Sequence, residues 1–198
     1  MAVVGVSVCV HEQDPSGELL QVVRPLYAEI YAEPPYLEGP DEVADFAAGW
    51  TGCCQQPGFR LVVADADGEP VGFSFGHRLG PETDWWDGLL DPVPAQVTQE
   101  WERRTFAVIE LAVRARHRRR GIGRILHQAL LAGRDEQRVT LLSRPEAAAA
   151  QAAYASWGYR PLGRLRPGPE TPVYLAMLGD LPGQASSDSG DACGISGT

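Results

Sequence analysis

Ile109-Glu110-Leu111-Ala112-Val113-Arg114-Ala115-Arg116-His117-Arg118-Arg119-Arg120-Gly121-Ile122-Gly123-Arg124 runs an apolar strand into an arginine-rich turn and then into a helix opened by two glycines. Glycines at 121 and 123 leave no side chain between the backbone and an incoming ligand, and the first N–H groups of a helix have no partner inside it. The helix dipole adds roughly half a positive charge at that end, and guanidinium forks match phosphate oxygens. Six of the seventeen basic residues (Arg114, Arg116, Arg118, Arg119, Arg120, Arg124) fall within this turn, and all seventeen are arginine. The segment is built to hold a pyrophosphate. Read alone, however, an arginine run is also what a solvated face looks like.

The flanks decide between these readings. Thr105-Phe-Ala-Val-Ile-Glu-Leu-Ala-Val113 is a β-rich apolar run with one acid in it, and Ile122, Ile125, Leu126, Ala129 and Leu130 recur at helical spacing. The cluster therefore sits on a strand-to-helix crossover. A dinucleotide-binding fingerprint would need a third glycine at position 126, which is Leu.

Outward from this segment the chain reads as alternating strands and helices. Residues 2 to 10 predict a strand, and Asp14-Pro15-Ser16 a cap for a helix over about 16–32 with Leu19, Leu20, Val23, Leu26, Tyr27 and Ile30 on its apolar face. Glu33-Pro34-Pro35-Tyr36 breaks it, and a second helix is expected from near Asp41 to about Cys53. Phe59–Ala66 and Pro70–His77 predict a hairpin turning at Asp67-Gly68. A short helix is expected around Ala95–Arg103, and a strand at Val139–Ser143. Ser143-Arg144-Pro145-Glu146 reads as a capping box opening a helix over Glu146–Trp157 that Gly158 stops. Tyr159–Leu165 and Pro172–Leu178 close the order as strands. Residues 1–181 form one expected domain, and the Gly/Ser-rich 182–198 an expected disordered tail.

Composition narrows the class. A chain of 198 residues, 44% hydrophobic, can bury a sizeable core. No apolar run reaches the roughly 20 residues that span a bilayer, and no basic region precedes the N-terminal apolar segment, so a cytoplasmic protein without membrane contact is expected. The four cysteines (Cys9, Cys53, Cys54, Cys193) have no metal-ligand spacing and read as free thiols; no metal is expected. A net charge of −9 argues against nucleic-acid binding, which rests on a broad basic surface. With the arginines turned to a phosphate ligand, the remaining acidic surface favours a cationic partner.

Arg118-x-x-Gly121-x-Gly123, following Glu110-Leu111-Ala112-Val113, resembles the acyl-CoA motif of the GNAT superfamily of N-acetyltransferases, written Q/R-x-x-G-x-G/A. Tyr154-Ala155-Ser156-Trp157-Gly158-Tyr159 is similar to the Y-x-x-x-G-F signature of the same family, at the expected place after the next helix. The resemblance covers roughly residues 3 to 180. It implies an α/β fold: a mixed, mostly antiparallel central sheet with helices on both faces, whose central strands, 105–113 and 139–143, splay apart around the cofactor. It also implies acetyl-CoA as acyl donor, held by Leu111, Ala112 and Val113 through backbone atoms, by Arg118, Arg119, Arg120, Gly121, Ile122, Gly123 and Arg124 at the pyrophosphate, and by Ser143. One departure is plain. Family members often carry an asparagine seven residues before the helix tyrosine; here that position is Ala147, and the chain has no asparagine.

Amine acylation needs a group that takes a proton from the acceptor and one that protonates the departing thiolate. The resemblance gives Tyr154 the second task; by position alone Tyr154 is equally the last core-facing aromatic of its helix. Glu110, an acid in an apolar strand, is the candidate base, since burial raises a carboxyl pKa toward a useful value. A carboxylate that only binds the acceptor is the competing reading, and His77, Asp84 and Glu100 stand as alternative bases. For the acceptor pocket the family points to Tyr36 and the Trp85-Trp86 pair, with Asp84, Asp87 and Glu38 near enough in sequence to help hold a cation. The pair reads equally well as cover for a hydrophobic edge or as a homodimer contact. The expected reaction is transfer of an acetyl group from acetyl-CoA to a small-molecule amine, such as a metabolite, polyamine or antibiotic. A protein or peptide acceptor is the alternative within the class, and a non-catalytic acyl-CoA sensor or interaction module the alternative outside it.

Overall fold

The computed structural model describes residues 5–14 and 17–181. The strand expected to begin at residue 2, the cap at Pro15 and Ser16, and the 182–198 tail with Cys193 lie in whole or in part outside those residues. Seven strands form one sheet: β1 (Val6–His11), β2 (Arg60–Ala66), β3 (Glu69–Arg78), β4 (Thr105–Val113), β5 (Arg138–Ser143), β6 (Arg160–Leu165) and β7 (Tyr174–Asp180). Their order across the sheet is β1-β2-β3-β4-β5-β7-β6. Every neighbouring pair is antiparallel except β4 and β5. The helices are α1 (Glu18–Tyr31), α2 (Pro40–Cys54), the single turn α3 (Ala95–Thr98), α4 (Ile122–Leu131) and α5 (Ala148–Ser156).

The two sheet faces are covered separately. Val23, Leu26, Tyr27, Ile30 and Tyr31 of α1 recur at helical spacing and pack with Trp50 of α2 against Leu61, Val63, Phe73, Phe75 and Ala112. On the opposite face Ile122, Leu126 and Leu130 of α4 and Tyr154 of α5 meet Val62, Val71, Phe106, Val108, Val139 and Met177. The segment after β3 completes the α1/α2 face, where Leu79 and Trp86 cover Ala107, Leu165, Ala176 and Leu178.

Local chemistry sets most boundaries where the sequence predicts them. Asp67 (φ 55°) and Gly68 (φ 83°) both take the left-handed conformation that a two-residue hairpin turn requires. Gly158 (φ 96°) ends α5. Three expectations need correction. The cap position of α1 falls on Gly17, and Asp14 serves from further back: its Oδ1 accepts the Leu19 N–H at 3.3 Å while Oδ2 accepts Trp50 Nε1 at 2.8 Å, tying α1 to α2. The capping box at Ser143 does not form. Helix α5 starts only at Ala148, the Ser143 hydroxyl turns to Arg144 O, and Gln151 Nε2 donates to Arg144 O (2.8 Å) and Pro145 O (3.0 Å) instead. The helix expected over 95–103 stops after one turn because Trp101–Arg104 turns into β4, with Arg104 N–H donating to Trp101 O.

Two irregularities in β4 create the cleft. Phe75 of β3 pairs with Glu110 and Gly76 with Val108, so Ile109 is an extra residue on β4. Such a bulge bends its strand and reverses the alternation of side chains beyond it. Phe106 and Val108 face α4; after the bulge Leu111 and Val113 do, and Glu110 is delivered to the α1 face. At the same point β4 leaves β5: the parallel pairing runs only from Thr105↔Arg138 to Val108↔Leu141, although β4 continues to Val113 and β5 to Ser143. The central strands therefore splay, and the edges of Ile109–Val113 and Leu142–Ser143 are left open toward each other.

Candidate active site

A cleft of about 260 Å³ lies in that gap. Its floor is Val108–Leu111 from β4 and Leu141–Ser143 from β5. Its walls are Tyr27 and Tyr31 from α1, Tyr36 and Glu38 from the α1–α2 connection, Trp85, Arg144, Tyr154 of α5, Pro167, Thr171 and Tyr174. Glu110, the acid in an apolar strand, and Tyr154, given its task by the family resemblance, thus line one space. Leu111, Ser143, Tyr36 and Trp85 join them.

Glu110 is the electrostatic centre of the cleft. The Tyr31 hydroxyl donates to its Oε2. Burial pushes its carboxyl up to about 8, the Tyr31 hydrogen bond pulls it down and the Glu38 charge adds to the rise. Removal from water disfavours the charged form, and here that effect dominates. Tyr27 reaches the second acid, its hydroxyl 2.5 Å from Glu38 Oε2. Burial raises the Glu38 pKa as well. Tyr154 is 9% exposed, its ring edge-on to Trp157 at 5.6 Å and tilted against Tyr159 at 5.7 Å. Burial, and then Tyr36 and Glu110, raise its phenol above the ordinary value, so it remains a proton donor at neutral pH.

The other acids and bases weighed from sequence lie elsewhere. Glu100 is buried, and its carboxylate accepts from Trp86 Nε1 (2.9 Å), the Thr105 hydroxyl (2.7 Å) and Arg138 Nη2 (2.7 Å). Trp86 is accordingly a core residue, 6% exposed, and not an acceptor contact. Its neighbour Trp85 takes the cleft. His77 is half-buried with Nδ1 against Arg78 O. Asp84 and Asp87 are exposed outside the cleft, which leaves Glu38 as the one of the three nearby acids that lines it.

At the far end of β4 the arginine turn divides in two. Arg114, Arg116 and Arg118 are paired with Glu29 (2.9 Å), Glu69 (2.7 Å) and Glu33 (2.8 Å), and Arg118 Nε also donates to Val113 O at 2.8 Å. These hold the turn to α1 and the residues just after it, to β3 and to β4, so only part of the cluster stands free, where the sequence predicts that all of it faces a ligand. Arg119, Arg120 and Arg124 are exposed and form no ion pair among the described residues. A one-turn 3₁₀ segment, Ala115–His117, leads into the helix. Gly121 caps α4 in the left-handed conformation (φ 83°), and the first amide to bond back is Ile125 N–H, onto Gly121 O at 3.1 Å. The amides of the preceding turn therefore stay available to an anion. A Cβ on Gly123 would meet only Leu111, Trp157 and Val113 at ordinary contact distances of 3.6 Å or more. The protein's own packing does not require glycine there.

Gly121→Val is expected to raise the acetyl-CoA Kd at least tenfold while leaving the fold in place. A β-branched residue at φ 83° must shift the first turn of α4 and its amides. Calorimetric titration would read the change, and an unaltered Kd would remove the turn from the cofactor site.

Tyr27, Tyr31, Tyr174 and Arg144 were missed as site residues. A signal existed for the first two. A buried phenol needs a hydrogen-bond partner, so two tyrosines one turn apart on an apolar helix face announce buried acceptors, which prove to be Glu38 and Glu110.

A sequence model of the acetyltransferase (GNAT) family matches residues 20–159. No curated protein matches the chain in sequence. Among solved structures, a GNAT-family acetyltransferase from Staphylococcus aureus Mu50 superposes with a TM-score of 0.60 at 14% identity, over 89% of this chain and 100% of that one. A ribosomal-protein alanine N-acetyltransferase from Escherichia coli gives 0.59 at 17% identity, over 92% and 98%. The PaiA N-acetyltransferase from Thermoplasma acidophilum, in complex with coenzyme A, gives 0.55 at 9%, over 88% and 99%. These likenesses are of fold. Together with the splayed β4–β5 pair and the glycine-opened α4, the family match over most of the chain makes this protein a member of the GNAT acetyltransferase family, whose acyl donor is acetyl-CoA.

Proposed function

We propose that the protein transfers an acetyl group from acetyl-CoA directly to a primary amine of a small molecule, with Glu110 as base and Tyr154 as acid. The observation that carries this reading is the co-location of Glu110 and Tyr154 in one cleft lined by tyrosines, at the point where β4 and β5 part. The residues fit the donor. Exposed Arg119, Arg120 and Arg124, with the free amides at the start of α4, would hold the pyrophosphate. The open edge of Leu111, Ala112 and Val113 would pair with the amides of the pantetheine arm as an added strand would, with Ser143 on the facing edge.

Glu110 takes a proton from the bound ammonium, and the free amine attacks the thioester carbonyl carbon. An N–C bond forms and the C–S bond breaks as Tyr154 gives its hydroxyl proton to the leaving thiolate; the second proton, which the nitrogen sheds in becoming an amide, restores the Tyr154 hydroxyl, and Glu110 releases the first to solvent. Tyr31 orients the Glu110 carboxyl through its hydroxyl. A volume of about 260 Å³ suits a compact acceptor, and rings beside acids suit a cation.

Incubation with acetyl-CoA and a panel of small amines, read as free CoA and as acetylated product by mass spectrometry, tests the proposal. Absence of any thermal shift with acetyl-CoA would defeat it at the first step. The base must be ionised to act, and with its pKa near 8 only about one tenth of Glu110 is so at pH 7. We therefore expect kcat/KM to climb from pH 6 and to level off above about 8. The limb should persist when the acceptor amine is exchanged for a more basic one, and disappear from the residual activity of Glu110→Gln.

A further inference from the structure

The cleft holds more than the acids that an amine calls for. Two buried side-chain nitrogen atoms without a hydrogen-bond partner, Trp85 Nε1 and Arg144 Nε, belong to residues that line this one cleft. Both are N–H donors. An unmet donor out of reach of water costs on the order of 1–3 kcal/mol, so a pair of them in a binding cleft marks where a ligand acceptor is wanted.

Arg144 is also poorly neutralised. Its side chain is 22% exposed, and the nearest carboxylate, Glu146, is itself 60% exposed and stands 3.5 Å from Nε, outside good hydrogen-bond geometry. The guanidinium lies over the Tyr174 ring at 6.0 Å, on the cleft wall. Glu38 and Glu110 face it, yet their hydroxyl partners are Tyr27 and Tyr31, and burial favours the neutral form of both carboxyls. Arg144 has no such freedom, since a guanidinium keeps its charge. The cleft thus presents a side of two carboxyls and a facing side that carries a fixed positive charge.

We infer that the acceptor is a compact amino-carboxylate, its amine directed to Glu110 and Glu38 and its carboxylate received by Arg144 and Trp85 Nε1. The inference rests on the transferase reading of the same cleft and narrows it from amines in general to amines carrying an anionic oxygen group. It also accounts for a cation in a pocket otherwise suited to cations. Without a ligand anion Arg144 would repel the amine that Glu110 needs, and with one the charges alternate across the cleft. Carboxylate recognition by guanidinium and indole donors gives discrimination as well as affinity, because an acceptor lacking the carboxylate leaves both donors unmet.

The test uses the whole chain with acetyl-CoA and the proteinogenic amino acids as a panel, read as CoA release. The best amino acid is then compared with its own primary amide and its decarboxylated amine. We expect kcat/KM for the amino acid to exceed that for the decarboxylated amine at least tenfold. Arg144→Gln should abolish that preference by raising KM for the amino acid more than tenfold, while kcat/KM for the decarboxylated amine rises because the repelling charge is gone. The acetyl-CoA Kd of the variant, unchanged, would show that the fold and the donor site survive. Equal turnover of amine, amide and acid, or a uniform loss with all three in Arg144→Gln, would overturn the inference and leave the transferase standing. No CoA release with any amine would overturn both.

Discussion

Tyr154→Phe is expected to lower kcat by about a hundredfold while leaving the acetyl-CoA Kd within about twofold of the wild type. The substitution removes one oxygen from a ring whose packing against Trp157 and Tyr159 is otherwise kept. The melting temperature should therefore move little. What disappears is the proton for the departing thiolate, supplied by a phenol that burial holds in its protonated form. Glu110→Gln should cost a further class of activity, at least a hundredfold, for the opposite reason: the amide fills the same space beside Tyr31 but accepts no proton. Single-turnover rates with acetyl-CoA in excess separate chemistry from product release. Wild-type turnover in Tyr154→Phe would return the residue to the alternative weighed at the start, an aromatic closing the core side of α5.

The two variants also separate an enzyme from a sensor that has kept the fold. A sensor's acetyl-CoA affinity and downstream contacts do not depend on a proton donor at 154 or a base at 110. Loss of turnover with intact donor binding in both variants fits only a transferase.

The boundaries of β4 and α4 were legible because punctuation is local there: an apolar run ends at Arg114, and Gly121 needs the left-handed conformation wherever the rest of the chain goes. The Asp67-Gly68 hairpin was legible for the same reason. Trp85 and Trp86 could not be told apart, since adjacent side chains point to different sides and only the tertiary partner decides. Trp86 finds Glu100 and the core, and Trp85 the cleft. The bulge at Ile109 leaves no mark in composition, yet it determines which face receives Glu110. The capping box at Ser143 failed because β5 keeps Ser143 paired with Leu175, which carries the strand through the position where the helix cap was expected. The arginine cluster read as a single clamp because formal charge does not reveal that Glu29, Glu33 and Glu69 come close in space.

Glu110→Gln should also make the protein more stable in alkaline solution, and the size of that gain measures what the site costs the fold. In the unfolded chain this carboxyl ionises near its ordinary 4.5; in the folded protein it does so near 8. Between those values the folded state holds a proton that the unfolded state has released, so stability falls as pH rises from about 4.5 to about 8 and is level beyond. Glutamine has no proton to lose and lacks that slope. The variant and wild type should therefore melt together near pH 4.5 and diverge above it. At pH 8.5 the difference should be on the order of 2 kcal/mol, less than the full shift implies because Glu110 keeps one side open to the cleft. For a chain of this length that is roughly 4–8 °C in Tm. Scanning calorimetry of both proteins at pH 4.5, 6.5 and 8.5 would read it. A variant less stable than wild type at pH 8.5 would mean that the Tyr31 hydrogen bond stabilises an ionised Glu110, with its pKa near the ordinary carboxyl value. A variant that gains stability while losing turnover would show why an acid sits in the middle of an apolar strand: the fold is weakened at neutral and alkaline pH so that a base of matched strength faces the acceptor.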